Sequence, residues 1–464
     1  MGRRQLGGVV LVLVSSLLLG ACQVNWDSVG FGTSQNSYNP FETVLNPTTV
    51  PGLQQQWAAN LGPYVETSPV LATGVAVSGG TENLVFDGDS EGLFEAIDTS
   101  TGAVVWQRQF ASLLGGPTNP GCEQSPFGIN GGALIDQSTG LVYLVDGADE
   151  MYALNLATGT TAPGWPLQIS TDDTYEHVWS GLNEVSGTIF VPVSGDCDNP
   201  PYEGRLVAVN ASTQSITATF LTEGTSGLSG GGIWGWGGVG VDQSLTHMYV
   251  ATGNTLGNDS NAGYGDQVVE LSVPDLSVVD SNLPNVPQGD NDFGGTPVLF
   301  EPSGCSPELA VENKTGVLVI YNQGALSSGP IQSLQIGSNS GSFIGDPAWD
   351  PGQNTMYVSN SASSSAFSNG MVALKFGADC LASPAWQTQL GPADSVVSPP
   401  VVADGVGYYG DGTGNTIYAL DDATGLVLWS QLLSGPVFAP PIVANGMLFV
   451  PGGGKLYAFS LPTS

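Results

Sequence analysis

The segment IYALDDATGLVLWSQ, residues 417–431, alternates apolar and polar residues, breaks at Asp-x-x-Thr-Gly, then resumes as a second alternating run that carries a tryptophan. That pattern is two antiparallel strands joined by a tight turn. Clear copies are FEAIDTSTGAVVWQ (94–107) and YALNLATGTTAPGWPLQ (152–168). Weaker ones are LVAVNASTQSITAT (206–219), VVELSVPDLSVVDS (268–281), LVIYNQGALSSGPIQS (318–333) and MVALKFGADCLASPAWQ (371–387). A further copy, KLYAFSLP (455–462), stops before its second strand. Two more strands precede each unit, as in PPVVADGVGYYGDG (399–412) and PPIVANGMLFVPGG (440–453).

A four-stranded unit recurring every roughly 40 to 55 residues predicts an all-β, eight-bladed β-propeller of four-stranded antiparallel blades. The last unit lacks its outer strand, and LQQQWAANL (53–61) has the outer-strand pattern with no blade before it. The N-terminal strand is therefore expected to complete the last blade, which closes the ring and removes free sheet edges. The expected organisation is a signal segment over 1–21, a flexible tether over 22–52 rich in Asn, Ser, Thr, Pro and Gly, and one propeller over 53–464.

The signal segment has Arg3 and Arg4, an apolar run from Val9 to Leu19, and Leu19-Gly20-Ala21 ahead of Cys22. Leu-Gly-Ala-Cys resembles a bacterial lipobox, which implies lipidation of Cys22, an extracytoplasmic location and membrane attachment through the acyl chains. Removing Arg3 and Arg4 takes the formal charge from −34 to −36. Such a chain repels nucleic acid. With 66 Gly and 31 Pro the composition favours turns, and 41% hydrophobic residues support a large core. The chain is expected to act as a monomer.

Four cysteines follow Cys22, an even number that in an exported chain suggests two disulfides. The blade register places Cys122 and Cys197 on one rim, and Cys305 and Cys380 on the other. The expected pairs are Cys122–Cys197 and Cys305–Cys380. No Cys-x-x-Cys-His is present for covalent haem, and zinc is not expected with only His177 and His247 and widely spaced cysteines.

The Asp-x-x-Thr-Gly-x-x-x-Trp copies resemble the tryptophan-docking repeat of quinoprotein propellers. That superfamily includes dehydrogenases using pyrroloquinoline quinone (PQQ) and non-catalytic propellers such as the lipoprotein of the outer-membrane assembly machine. A fold shared so widely does not settle function. One stretch is more specific. WGGVGVDQSLTHMYVATGN (236–254) is similar to the dehydrogenase segment in which a Trp floors the quinone and Thr-Gly-Asn ends in a calcium ligand. The resemblance implies Trp236, with Trp234 beside it, for the floor and Asn254 for the metal. GDNDFGG (289–295) resembles the segment carrying the catalytic aspartate, which implies Asp292 as base and metal neighbour. ENKTG (312–316) stands where the family places a cation on the quinone oxygens, here Lys314. The family's acidic calcium ligand falls near SGDCDNPPYEG (194–204), with Asp196, Asp198 and Glu203 all open. The implied function is oxidation of an alcohol or sugar-like substrate with PQQ and Ca2+. The alternative is a non-catalytic propeller whose rim binds a protein or envelope polymer.

These residue types suit that chemistry. A flat aromatic supports a planar cofactor, hard oxygens hold calcium, the cation polarises a carbonyl, and a carboxylate takes a hydroxyl proton. Two features depart from the family: the adjacent-cysteine disulfide is missing, and the mature chain has only Arg108, Arg205, Lys314, Lys375 and Lys455 to meet three cofactor carboxylates. The Gly-x-Ser-x-Gly runs at 88–92 and 227–231, the Gly-x-Gly-x-x-Gly at 230–235 and the acidic turn at 87–98 all fall in blade turns or Gly-rich strands, where they carry no separate chemistry.

Overall fold

In the computed structural model the described residues are 23–114, 126–224, 227–256, 263–287, 291–393 and 398–462. They form the expected eight blades, each a four-stranded antiparallel meander from an inner to an outer strand. The inner strands are Val70–Val77, Leu134–Asp136, Asn183–Val185, Gly240–Val241, Val298–Phe300, Ala348–Asp350, Val401–Ala403 and Ile442–Ala444 for blades 1 to 8. Helix is confined, among the described residues, to two 3-10 turns, Val50–Gly52 and Leu326–Ser328. Gln54–Asn60 pairs antiparallel with Lys455–Ser460, so the N-terminal strand does complete blade 8.

The repeat turn works through its aspartate. Asp98 Oδ1 accepts from the backbone N–H of Ser100 at 2.9 Å and of Thr101 at 2.8 Å, which closes the turn locally. The following glycine adopts positive φ, 72° at Gly102, and lets the neighbouring blade approach. Trp57 of blade 8 lies against it, and its Nε1 donates to Thr99 O at 2.9 Å. A Cβ on Gly102 would stand 2.6 Å from the Trp57 ring. Trp106 docks the same way on Leu156 and Gly159 of blade 2, and Trp386 on Asp422 and Gly425 of blade 7. Between blades the sheets bury continuous aliphatic and aromatic clusters, which is where the core lies.

The tether expected over 22–52 is not what the structure shows for 23–52. Residues 24–39 form a strap that runs round the inside of the ring and bonds to every blade. It starts at blade 8, where Val24 exchanges two 2.9 Å bonds with the Asn445 side chain. Trp26 exchanges backbone bonds with Leu71 of blade 1, and Asp27 O accepts from Ile135 N of blade 2. Gln35 Nε2 donates to Asn183 Oδ1 of blade 3 at 2.7 Å. Thr33, Ser34, Asn36 and Ser37 carbonyls accept from Val241, Leu299, Trp349 and Val402 of blades 4 to 7, at 2.8 to 2.9 Å. Asn39 Nδ2 then returns to blade 8 at Val443 O. The strap's polar composition serves these bonds rather than solvation: inner strands expose backbone N–H groups to the channel, and buried donors need acceptors. Trp26, Leu45 and Val50 are buried in the blade 8–blade 1 core.

Cys305 and Cys380 form the expected disulfide on the rim where the inner hairpins turn, with Cα atoms 5.7 Å apart. Cys197 is also disulfide-bonded. Its expected partner Cys122, and the lipidation candidate Cys22, lie outside the described residues.

Candidate functional site

On the rim opposite the disulfide, a cavity of about 390 Å3 opens at the end of the channel. Its wall has a simple origin. The residue four positions before each inner strand stands at the channel mouth: Glu66, Asn130, Trp179, Trp236, Gly294, Ile344 and Phe438 for blades 1 to 6 and 8. All but Asn130 line the cavity, and Asn130 Nδ2 donates to Glu66 Oε2 at 2.9 Å. Asp196, Cys197, Asp198, Trp234 and Lys314 complete it from loops of blades 3 to 5.

Asp292 sits on the connection from blade 4 to blade 5 and is 1% exposed. Phe293 beside it is fully buried and bridges to Asn313, which fixes the backbone. Asn313 also makes the turn of ENKTG, accepting from Thr315 N at 3.0 Å and Thr315 Oγ1 at 2.6 Å. The turn directs Lys314 onto the aspartate: Lys314 N donates to Asp292 O at 2.9 Å and Nζ to Oδ2 at 2.6 Å. The other carboxylate oxygen, Oδ1, accepts from Asn254 N at 2.6 Å.

The side chain of Asn254 meets two acceptors. Its terminal atom lies 2.5 Å from Asp292 Oδ1 and 3.1 Å from Asp198 Oδ2. Two arrangements satisfy such a meeting: the amide turns its NH2 toward both carboxylates, or a cation sits among three oxygens. Asp198 is held by Tyr202, whose hydroxyl donates to Oδ1 at 2.6 Å. Cys197 and Asp198 both adopt positive φ, 51° and 54°, a conformation uncommon for such residues and frequent at functional sites. Of the acidic residues open in 194–204, Asp198 therefore joins Asn254 and Asp292. Asp196 lines the same cavity, but among the described residues Asp196, Asp198 and Asp292 form no group of three within ligand range of one another. Glu203 instead bridges to Gly230, its N–H directed to Glu176.

Trp234 and Trp236 both face the cavity. Trp234 packs edge-on to Tyr202, with its Nε1 buried and without a hydrogen-bond partner. Gly253 is required here, since a Cβ would stand 2.6 Å from Trp234 Nε1 and 2.9 Å from Asp292 Oδ1. The Trp236 backbone is clamped. Its carbonyl accepts from Gly181 N at 2.8 Å, and Gly237 N donates to Thr296 Oγ1 at 2.9 Å and Asp346 Oδ2 at 3.0 Å. Asn183 Nδ2, held by the strap's Gln35, donates to Gly237 O at 2.6 Å. Burial pushes the Asp346 carboxyl up to about 7 and Glu312 well above the usual range. His177 stacks on Phe127, and burial lowers it to about 4, which leaves it neutral.

The structure brings Trp234, Trp236, Asn254, Asp292, Lys314 and Asp198 of the sequence reading near one another. The sequence reading misses Glu66, Trp179, Tyr202 and Phe438. Their signal was positional: three of them hold the place of Trp236 in other blades.

Among curated proteins none matches this sequence significantly. The fold does match solved structures. The quinohemoprotein alcohol dehydrogenase of Comamonas testosteroni superposes with a TM-score of 0.69 at 15% identity, over 95% of this chain and 82% of that one. A europium-containing methanol dehydrogenase gives 0.69 at 15%, over 94% and 98%. BamB from Moraxella catarrhalis gives 0.59 at 13%, over 88% and 99%. At these identities the likeness concerns the fold. The family model described as outer membrane protein assembly factor BamB matches residues 51–226 and 382–463 and passes over blades 4 and 5, which carry Trp236, Asn254, Asp292 and Lys314. With more than half of its residues matched, the chain belongs to this family of PQQ-like β-propellers.

Proposed function

We propose that this protein is an exported, lipid-anchored propeller whose cavity oxidises an alcohol or sugar-like substrate with PQQ and a hard cation. The observation that carries the reading is the convergence of the Asn254 side-chain amide with the Asp292 and Asp198 carboxylates beside Lys314 and two tryptophans. The Asp292 and Asp198 carboxylates, bridged by an Asn254 amide that can turn its oxygen inward, fit Ca2+, or a lanthanide, and the flat indoles fit a planar ring. Asn254, Asp198 and Asp292 would hold the metal; Trp234, Trp236 and Lys314 would hold the quinone. Bound together, the two supply a polarised carbonyl that accepts two electrons. Lys314 and Asn254 N fix the Asp292 carboxylate in one orientation, and that carboxylate takes the substrate hydroxyl proton.

Lipidation at Cys22 would attach the chain on the side where Val24 meets Asn445. That side is the rim opposite the cavity, so the cavity would face away from the membrane. No helix among the described residues is long and apolar enough to cross one.

The test is to incubate the mature protein with PQQ and Ca2+, then follow binding by calorimetry and dye-linked alcohol oxidation. Asp292→Asn is expected to lower the rate by about 10²- to 10⁴-fold and, because Asp292 is also one of the residues that would hold the metal, to weaken Ca2+ uptake. Absence of binding at high micromolar PQQ would sink the enzyme reading. The family match to BamB then favours the second one, a non-catalytic propeller that binds a protein or envelope polymer on its rim.

A further inference from the structure

The cavity has two electrically different walls. In ring order, blade 5 stands across the channel from blade 1. On the blade 5 side Lys314, the one Lys or Arg among the described lining residues, is already paired with Asp292 at 2.6 Å. Away from that pair stand two more carboxylates, Glu66 of blade 1, across the channel, and Asp196 of blade 3, midway round the ring between blades 1 and 5. Among the described residues Glu66 accepts from neutral groups, Asn130 Nδ2 at 2.9 Å and Ser90 Oγ at 3.5 Å. Asp196 lines the cavity, is 3% exposed, and its Oδ2 has no hydrogen-bond partner. A buried carboxylate oxygen left in this way is costly unless a positive group meets it. The cavity is the side from which such a group can reach it.

The flanking side chains select its kind. Phe438 of blade 8 and Trp179 of blade 3 stand to either side of Glu66 round the mouth. A metal ion asks for six or more oxygens, and no third acidic, His or Cys ligand joins Glu66 and Asp196 within coordination range among the described residues. Aromatic faces beside carboxylates suit a weakly hydrated organic ammonium, which gains from ring quadrupole and anion together. We propose that the Glu66–Asp196 wall, between Phe438 and Trp179, is a binding subsite for an organic cation, a quaternary ammonium or protonated amine. The subsite itself does not rest on the quinone reading. Combined with that reading, it narrows the substrate to an alcohol that carries an ammonium group.

Choline and its neutral carbon isostere are the probes, titrated into the mature protein and followed by tryptophan fluorescence and calorimetry, without added PQQ or metal. Choline should saturate and bind at least about tenfold more tightly than the isostere. The Glu66→Gln/Asp196→Asn double variant should lose that preference while keeping its circular dichroism and melting transition. Equal affinity for the two probes, no saturable choline binding, or a preference that survives in the folded double variant would each overturn the assignment. The probe comparison on the unmutated protein decides the matter even where the variant does not fold. Because no cofactor is present, a failure of PQQ uptake leaves this result readable.

Discussion

Three blade junctions, 8 to 1, 1 to 2 and 6 to 7, are sealed at the outer edge by a tryptophan on the turn of the next blade. The outer strands of blades 3, 4 and 5, Ser215–Leu221, Val278–Asn282 and Gln332–Gln335, contain none. These are the blades whose loops bring Asp198, Asn254, Asp292 and Lys314 together. Docking pairs an Asp- or Asn-x-x-Thr-Gly turn with a tryptophan at matched positions, so the repeat is strongest where it only has to hold the ring. Blades 3 to 5 keep the inside ties that the strap makes to every blade, here at Asn183, Val241 and Leu299. Their loops and outer edges are thereby released from the repeat. The weaker sequence copies and the site share one cause.

The largest test of this contrast is a pair of tryptophan truncations. Trp57→Ala empties a buried dock and leaves the Thr99 carbonyl without its donor, so it should cost about 3–5 kcal/mol in denaturant unfolding. Trp236→Ala removes a ring that faces the cavity, and should cost well under half of that while abolishing ligand binding there. Similar stability losses in the two variants would break the distinction between docking and site tryptophans.

How much of this was legible follows from the range of the interactions involved. The hairpin with its Asp98 turn and the Trp docking are local patterns repeated along the chain, so the fold and the closure of blade 8 could be read directly. Asp292, Asn254 and Lys314 could be read because each lies in a short family-like segment. The strap could not. Its bonds are mostly backbone to backbone across the ring, and Asn, Ser and Gly at 23–39 look the same whether they solvate a linker or satisfy a channel. Glu66, Trp179 and Phe438 escaped for a related reason. Each is one residue in an unremarkable loop, and only ring closure makes them neighbours.

A middle-sized effect tests whether the strap is part of the fold at neutral pH. Burial, with Asp136 nearby, pushes the Asp27 carboxyl up to about 6, while Asn25 partly offsets it. Its folded value lies above its unfolded one, so the folded chain holds the proton more tightly. The stabilisation is complete below about pH 4 and is lost as pH rises through about 6. Asp27→Asn should therefore match the parent near pH 4 and exceed it by about 2–3 kcal/mol near pH 8, measured by urea unfolding at both. A mobile tether would show no difference at either pH.

The smallest effect links the strap to the cavity. Gln35 is 1% exposed and donates to Asn183, and Asn183 in turn donates to the carbonyl of Gly237, next to Trp236. Gln35→Ala leaves the buried Asn183 Oδ1 without its donor, which costs about 1–2 kcal/mol. The blades 3 and 4 junction has no docked tryptophan to make up the loss, so the floor should feel it. Trp236 is expected to gain mobility, read as faster fluorescence quenching by acrylamide and weaker ligand binding in the cavity, with the Trp57, Trp106 and Trp386 docks unchanged. The same substitution would leave the cavity untouched if the strap only closed the far end of the channel; unchanged quenching beside a lowered stability would show that the two ends of the channel are mechanically separate.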